Sequence, residues 1–251
     1  MSKKILPIPG GGLRNELAGL RGLALFKHLK LAFAHLIGRA FWFDPLAAAI
    51  EYAIERHVER QRPLAYYEFG TGSGNTLERA ISVLRRWPQV RIFLFDSFEG
   101  LPRSDDRRDR LVGWNAGEFA FSEDYIHEVI RRAGFPLERV RTVKGFFNRS
   151  LTAELAAELR DVPPAFVTVD VDYYSSTKSV LDFLAPILAS GATFYFDDLW
   201  SFDGHPDFGQ LRALAEFNEQ WKERGQLVPN SIFQNRIYTY FNRAYEFIRE
   251  P

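Results

Sequence analysis

The sequence contains no cysteine, and this absence removes several chemistries at once. Disulfides, thiolate metal sites and cysteine nucleophiles are all excluded. A chain without disulfides fits a reducing compartment, so we expect a cytoplasmic protein. An excess of charge of one sign is also missing, because 32 basic residues balance 32 acidic ones. We therefore expect neither nucleic acid nor an anionic membrane surface as a partner.

Long uninterrupted apolar runs are scarce as well. The most apolar stretch, residues 31–50, is broken by charged residues, so we expect no stable insertion into a membrane. Within residues 17–37 apolar side chains recur at steps of three and four, the pattern of an amphipathic helix. We predict a helical N-terminal extension over residues 1–61, packed on the core or on a second subunit. The need to bury its apolar face favours a homo-oligomer, a dimer or larger, and a helix on a membrane surface is the alternative.

From residue 62 onward, strand-like apolar runs alternate with segments of helix length. The predicted strands are residues 64–69, 90–95, 140–143, 166–169 and 193–196. This alternation predicts an α/β domain over residues 62–251 with a Rossmann-like, doubly wound, mostly parallel seven-stranded sheet. Residues 231–233 and 237–241 are close enough to form a hairpin, which adds a C-terminal antiparallel strand. Ligands of such sheets bind beyond the carboxyl ends of the strands.

A glycine-rich turn follows the first predicted strand, with the sequence Glu68-Phe69-Gly70-Thr71-Gly72-Ser73-Gly74. Glycine allows a sharp turn and lets a ligand approach the backbone. The dinucleotide fingerprint would require glycine where Asn75 stands, and the P-loop requires a Gly-Lys pair that is missing. The second strand ends in Asp96, about 20 residues further on, where a carboxylate can accept both ribose hydroxyls of a nucleoside.

An acidic residue followed by G-x-G-x-G resembles the first motif of class I S-adenosylmethionine-dependent methyltransferases. The resemblance implies that the turn contacts the methionine part of the cofactor, through Gly70, Thr71, Gly72 and Gly74. It also implies that Glu68 orients the amino group of the cofactor.

Carboxylates cluster at two later strand ends. Asp170 and Asp172 follow the fourth predicted strand, and Asp197 and Asp198 follow the fifth. Unpaired carboxylates at neighbouring strand ends repel one another and raise one another's pKa, and Mg²⁺ with oxygen ligands removes that cost. We predict a magnesium site formed by Asp170, Asp197 and Asp198, with Asp172 as a fourth ligand, a partner of a ligand or a base. The alternative is that these aspartates cap the following segments or pair with arginines.

Five motifs in order resemble the macrocin O-methyltransferase type, magnesium-dependent enzymes that methylate sugar hydroxyls on macrolide antibiotics. They are Asp96-Ser97-Phe98-Glu99-Gly100-Leu101-Pro102, Trp114-Asn115-Ala116-Gly117-Glu118-Phe119-Ala120, Lys144-Gly145-Phe146-Phe147, Asp170-Val171-Asp172-Tyr173-Tyr174-Ser175-Ser176-Thr177 and Asp197-Asp198. The resemblance covers about residues 66–200, and residues 1–60 show no clear match. It implies an O-methyltransferase that uses S-adenosylmethionine and acts on a hydroxyl of a small molecule, a sugar or a natural-product intermediate.

Within these motifs we assign Ser97, Gly145, Phe146 and Asp170 to the cofactor, together with Asp96. Two departures limit what the resemblance implies about the acceptor. Val171 stands where the family tends to carry glycine, and the chain after Asp198 does not follow the family pattern. Because that loop is expected to contact the acceptor, a macrolide sugar is not inferred.

Three residues are candidates for the general base. His205 is the only histidine near the acidic cluster in sequence, and its ordinary pKa suits proton transfer at neutral pH. Asp172 and Tyr173 are the other candidates, and the sequence does not decide among them. The mixed charges of residues 103–110 indicate either a solvated loop or a lid over the ligands.

Three other functions compete with methyl transfer. Many metal-dependent glycosyltransferases use an Asp-x-Asp triplet such as residues 170–172, although they do not need the glycine turn. A methyltransferase-like fold that catalyses another metal-dependent reaction is the second alternative. A non-catalytic binding protein is the third.

Overall fold

A computed structural model describes residues 44–109, 114–233 and 243–249. These residues form one seven-stranded sheet of order β3-β2-β1-β4-β5-β7-β6. Its strands are β1 (Ala65–Phe69), β2 (Arg91–Asp96), β3 (Val140–Lys144), β4 (Pro164–Val169), β5 (Thr193–Phe196), β6 (Gln226–Pro229) and β7 (Ala244–Ile248). Strands β1 to β5 are parallel, and β7 runs antiparallel to both β5 and β6. The predicted doubly wound, mostly parallel sheet with a C-terminal antiparallel strand is confirmed.

The residues of the C-terminal hairpin differ from the prediction. Ser231–Phe233, predicted as a strand, is a 3₁₀ turn, so that assignment was wrong. Its predicted partner, residues 237–241, lies outside the described residues. The hairpin is formed instead by β6 and β7, which pair in register from Gln226 with Ile248 to Pro229 with Tyr245.

Seven α-helices lie in the described part of the chain. They are α1 (Pro45–Glu59), α2 (Asn75–Leu84), α3 (Glu123–Arg132), α4 (Phe147–Ser150), α5 (Ala153–Glu158), α6 (Tyr174–Leu184) and α7 (Gly209–Trp221). Helix α1 begins at Pro45 after Asp44, whose Oδ1 accepts the Ala47 amide at 3.1 Å, an N-cap that satisfies a free helix donor. No described helix is long and apolar enough to cross a membrane.

The central strands are buried on both faces, because helices cover the sheet from both sides. Every residue of β1, β4 and β5 is buried. One face of the sheet carries an aromatic cluster. The stacked rings of Phe69 and Phe95 have centroids 4.3 Å apart, and the ring centroids of Tyr67 and Phe93 are 4.8 Å apart. On the other face, α1 buries its apolar side chains in the same cluster as Tyr66 and Ile92.

The described end of the predicted N-terminal extension therefore packs on the core of the sheet, while residues 1–43 lie outside the described residues. The domain boundary at residues 61 and 62 stays a prediction. In the sheet, β1 lies between β2 and β4, so the chain order reverses at β1. A ligand crevice is expected beyond the carboxyl ends of the strands at that position.

Candidate functional site

A cavity of about 780 Å³ lies at the carboxyl ends of β1 to β5. Its lining comes from the glycine turn after β1, from the loops after β2 and β3, and from the ends of β4 and β5. The volume falls within the usual range for small-molecule sites. The cavity therefore lies where the reversal of strand order predicts a ligand.

The glycine turn needs glycine at position 70 for two reasons. Gly70 has φ +80°, and a Cβ there would lie 1.8 Å from the carbonyl oxygen of Asp170. Its amide donates to the Phe95 carbonyl at 2.9 Å, so the turn is fixed to the end of β2. Gly72 has φ +46°, and a Cβ there would contact nothing within 4 Å. The backbone of the turn can thus approach both the strand ends and a ligand.

Asp96 joins the glycine turn to the loop after β2. Its Oδ2 accepts the Thr71 amide at 2.6 Å and the Thr71 hydroxyl at 3.0 Å. Its Oδ1 accepts the Phe98 amide at 2.6 Å. A carboxylate has about four acceptor positions, and three of them are used here, so one remains for a ribose hydroxyl; acceptance of both hydroxyls stays a prediction. Ser97, Gly145 and Phe146 line the cavity beside it.

Glu68 lies outside the lining of this cavity among the described residues. Its side chain is fully buried and its Oε2 accepts the Tyr66 hydroxyl, which also lies 2.8 Å from the Thr168 hydroxyl. Its Oε1 has no hydrogen-bond partner among the described residues. Burial raises the pKa of Glu68 to about 8. The predicted contact of Glu68 with the amino group of the cofactor stays a prediction.

Three carboxylates meet at the ends of β4 and β5. One oxygen each of Asp170, Asp197 and Asp198 lies within 4.8 Å of the others. Each carboxylate accepts a hydrogen bond from a separate part of the chain: Asp170 from the Thr76 hydroxyl (3.1 Å), Asp197 from Arg243 Nη1 (2.7 Å) and Asp198 from the Asp172 amide (2.9 Å). These bonds hold the group together from helix α2, from the segment before β7 and from the loop after β4.

The electrostatics of this group favour a cation. Burial, followed by the charge of Asp198, raises the pKa of Asp170 well above its ordinary value. Burial and the neighbouring carboxylates raise the pKa of Asp172 to about 8 and that of Asp198 to about 6. An all-oxygen set of converging carboxylates whose charges are unfavourable together fits a hard divalent cation such as Mg²⁺.

The three candidate bases lie in different surroundings. Asp172 lines the cavity and has φ +58°, an uncommon conformation for a residue other than glycine. The His205 side chain is 54% exposed, its Nδ1 accepts the Asp207 amide at 3.2 Å, and it is not among the described lining residues. Tyr173 is buried, with its ring centroid 6.4 Å from that of Trp114, and it also lies outside the described lining of the cavity. The structure thus brings Asp172 alone of the three to the cavity.

The loop after β2 is fastened to α6 through Asp109. Asp109 is buried, and its carboxylate accepts the Ser104 hydroxyl at 2.5 Å together with the amide and hydroxyl of Ser175 at 2.9 and 2.6 Å. Residues 104–109 are therefore tied to the start of α6, which argues against a freely solvated loop. Residues 110–113 lie outside the described residues, and a lid stays a prediction.

Two residues that the sequence did not single out hold the carboxylate group in place. Arg243 precedes β7 and bonds Asp197, and Gln210 in α7 bonds the backbone of Asp198 at 3.0 Å. Each lies at least 12 residues from its partner, and neither belongs to a local motif. The adjacent pair Asp197 and Asp198 was the one local signal in the sequence that hydrogen-bond partners such as these would be needed.

Comparison with known proteins agrees with this geometry. A family model described as Macrocin-O-methyltransferase (TylF) matches residues 38–224, and so begins within the segment that showed no clear motif. A relative from Streptomyces olivaceus, 8-demethyl-8-(2,3-dimethoxy-alpha-L-rhamnosyl)-tetracenomycin-C 4'-O-methyltransferase, is 28% identical over an alignment of 157 residues that covers 59% of this chain. The chain spans 58% of the length of that relative.

Two solved structures share the fold. The O-methyltransferase NovP superposes with a TM-score of 0.60 at 19% identity, covering 82% of this chain and 80% of NovP. CalS11, the calicheamicin methyltransferase, superposes with a TM-score of 0.58 at 20% identity, covering 99% of this chain and 97% of CalS11. At these identities the likeness establishes the arrangement of strands and helices around the cavity.

Proposed function

The chain belongs to the macrocin O-methyltransferase family, and from this premise we propose that it transfers a methyl group from S-adenosylmethionine to a hydroxyl of a small molecule. The acceptor is a sugar or a natural-product intermediate. The observation that carries the proposal is that one cavity joins the glycine turn and Asp96 to the carboxylates at the ends of β4 and β5. Cytoplasmic location and homo-oligomeric state stay predictions.

The cofactor is held by the half of the cavity around β1, β2 and β3. The backbone of the glycine turn faces its methionine part, and Asp96 accepts a ribose hydroxyl. Gly145 and Phe146 after β3 border its adenine side. Asp170 adjoins both halves, because its carbonyl lies against Gly70 and its carboxylate belongs to the metal group.

The acceptor is held by the other half of the cavity. Asp170, Asp197 and Asp198 would hold Mg²⁺, which when bound lowers the pKa of a coordinated hydroxyl and orients it. Fixing the hydroxyl in line with the methyl group contributes several kcal/mol through orientation alone. Asp172 lines the same cavity and accepts the hydroxyl proton on a carboxylate oxygen. The 4'-O-methylation of a rhamnosyl group named for the Streptomyces olivaceus relative supports a sugar hydroxyl as acceptor.

A panel assay tests this function. Metal-free protein is incubated with S-adenosylmethionine, with and without Mg²⁺, and with rhamnosides and other glycosides, and products are identified by mass spectrometry. We expect one methyl group on a sugar hydroxyl, formed only with Mg²⁺. Cofactor binding without methyl transfer to any hydroxyl would favour a non-catalytic role. Methyl transfer at the same rate after chelation of divalent cations would show that the reaction does not need Mg²⁺.

Asp172 and His205 give separable predictions. Replacing Asp172 with asparagine is expected to lower kcat by about 10²-fold, the lower end of the range for general-base catalysis. Replacing His205 with glutamine is expected to change kcat by less than about twofold, because its side chain is exposed and outside the cavity lining. Steady-state kinetics of both variants decide the assignment. A large loss in the His205 variant with a small one in the Asp172 variant would reverse it.

The response of stability to Mg²⁺ should depend on pH. Raised pKa values mean that Asp172 and Asp198 hold more protons in the folded, metal-free protein than in the unfolded chain, so their contribution to stability falls as pH rises from about 4 through the folded pKa values of about 6 and 8. Mg²⁺ needs deprotonated ligands. We therefore expect Mg²⁺ to raise Tm more at about pH 8.5 than at about pH 5.5.

Differential scanning fluorimetry of metal-free protein checks this expectation. NaCl at matched ionic strength controls for screening of charges. An Mg²⁺-induced rise in Tm that is equal at the two pH values, or larger at the lower one, would contradict a site made of these carboxylates.

A further inference from the structure

Gln210 is a buried amide that joins the ends of two strands. It lies in the first turn of α7 and is 0% exposed. Its Oε1 accepts the Asp198 amide at 3.0 Å, and its Nε2 donates to the Val169 carbonyl at 3.0 Å and to Asp198 Oδ2 at 3.5 Å. Val169 is the last residue of β4, directly before Asp170. One side chain therefore contacts both strands beside two of the three proposed magnesium ligands.

The position of these bonds matters because the backbone ladder ends there. The Asp197 amide donates to the Val169 carbonyl at 3.0 Å, beyond the last paired residues of β4 and β5, Val169 and Phe196. Gln210 Nε2 is a second donor to that same carbonyl. Beyond this point, the segments that follow β4 and β5 are linked by Gln210 and by the bond from the Asp172 amide to Asp198. The amide continues the connection between the strands up to the carboxylates.

The hydrogen-bonding groups of Gln210 point to this one place. Its carbonyl oxygen and both bonds from its amide nitrogen go to Val169 and Asp198. A buried amide that lost these partners would leave its polar atoms unsatisfied away from water, which is unfavourable, so the bonds fix its rotamer. The start of α7 is itself constrained, because Gly209 has φ +53° and a Cβ there would lie 2.4 Å from the Phe202 ring. The loop that follows Asp198 therefore restricts the position of the first turn of α7, which carries Gln210.

We propose that Gln210 is a positioning residue for the carboxylate group. It sets the separation between Asp170 and Asp198, and through that separation it sets the affinity of the site for a divalent cation. The inference rests on the proposed magnesium site. It assigns to α7 a role in metal binding that none of the five sequence motifs carries.

The test compares two amides on the same helix. Gln210→Leu removes the hydrogen bonds of the side chain to Asp198 and Val169 with little change in side-chain volume. Asn218→Leu is the matched control, because Asn218 also bonds backbone groups of a strand, accepting the Leu227 amide at 2.8 Å and donating to its carbonyl at 2.9 Å, but that strand is β6. Mn²⁺ affinity is measured by isothermal titration calorimetry, with S-adenosylhomocysteine affinity and Tm measured on the same samples.

We expect Gln210→Leu to weaken Mn²⁺ binding by about 10- to 100-fold, as for other residues that orient metal ligands, with S-adenosylhomocysteine affinity within about twofold of wild type. Asn218→Leu is expected to lower Tm and leave Mn²⁺ affinity unchanged. Gln210→Asn, which is too short to reach both strands, should weaken Mn²⁺ binding as well and serves if the leucine variant does not fold.

Equal Mn²⁺ affinity in wild type and Gln210→Leu, or equal losses in the Gln210 and Asn218 variants, would overturn the positioning role and leave the proposed function standing. Wild-type protein that binds no Mn²⁺ would overturn the metal site itself, and the role of Gln210 with it.

Discussion

Replacing Asp198 with asparagine is expected to lower kcat for methyl transfer by about 10³-fold. Asp198 supplies one of three carboxylates that converge within 4.8 Å, and a metal ion that polarises an oxygen contributes several kcal/mol to the transition state, where each 1.36 kcal/mol is tenfold in rate. Asparagine keeps an oxygen that can accept the Asp172 amide, so the local fold should persist. Loss of charge is then the main change.

Steady-state kinetics and Mn²⁺ titration of the same variant check this result. Asp207→Asn is the control, because Asp207 lies in the following loop and its side chain is 66% exposed. The control should retain wild-type kinetics and metal affinity. If Asp198→Asn keeps more than about a tenth of the wild-type kcat, the carboxylate group is not the centre of catalysis.

Replacing Gly70 with alanine is expected to remove cofactor binding and to lower the free energy of unfolding by about 2–5 kcal/mol. The added Cβ would lie 1.8 Å from the Asp170 carbonyl oxygen, so the turn or the end of β4 must shift, at a cost of about 1–3 kcal/mol. The left-handed backbone at φ +80° adds about 1–2 kcal/mol for a residue with a Cβ. The shift displaces both the turn and Asp170.

Gly72→Ala separates the two costs. Gly72 also has positive φ, but a Cβ there would contact nothing within 4 Å. We expect this variant to lose only about 1–2 kcal/mol of unfolding free energy. Chemical denaturation and calorimetry with S-adenosylhomocysteine provide both readouts. Two variants of equal stability and equal cofactor affinity would show that the contact with Asp170 does not hold the turn.

The sequence predicts the parallel part of the fold well because each central strand is a short apolar run between turn signals. The C-terminal hairpin was misplaced for local reasons. Asn230 accepts the Ile232 amide at 3.0 Å through its side chain and the Phe233 amide at 3.0 Å through its carbonyl, which forms a turn where an apolar pair indicates a strand. The observed edge strand β6 ends in Pro229, a residue that argues against a strand interior but is tolerated at an edge.

In the cavity, too, the residues that a local sequence pattern places were predictable, and those placed by the packing of distant elements were not. Asp170, Asp197 and Asp198 were predictable because they end parallel strands, which meet at one edge of the sheet. His205 was singled out by its closeness in sequence to Asp198, yet the loop between them carries its side chain into solvent. Gln210 and Arg243 could not be found in this way, since their contacts depend on how α7 and β7 pack and no local pattern records that packing.

The most direct test of the account is calorimetric titration of metal-free protein with S-adenosylhomocysteine, followed by Mg²⁺. We predict one cofactor product bound per chain, with Kd between about 1 µM and 1 mM, the usual range of enzyme–substrate constants. We also predict one Mg²⁺ bound per chain, lost in Asp198→Asn. No binding of S-adenosylhomocysteine up to about 1 mM by folded protein would contradict the assignment of the cavity to a methyl donor.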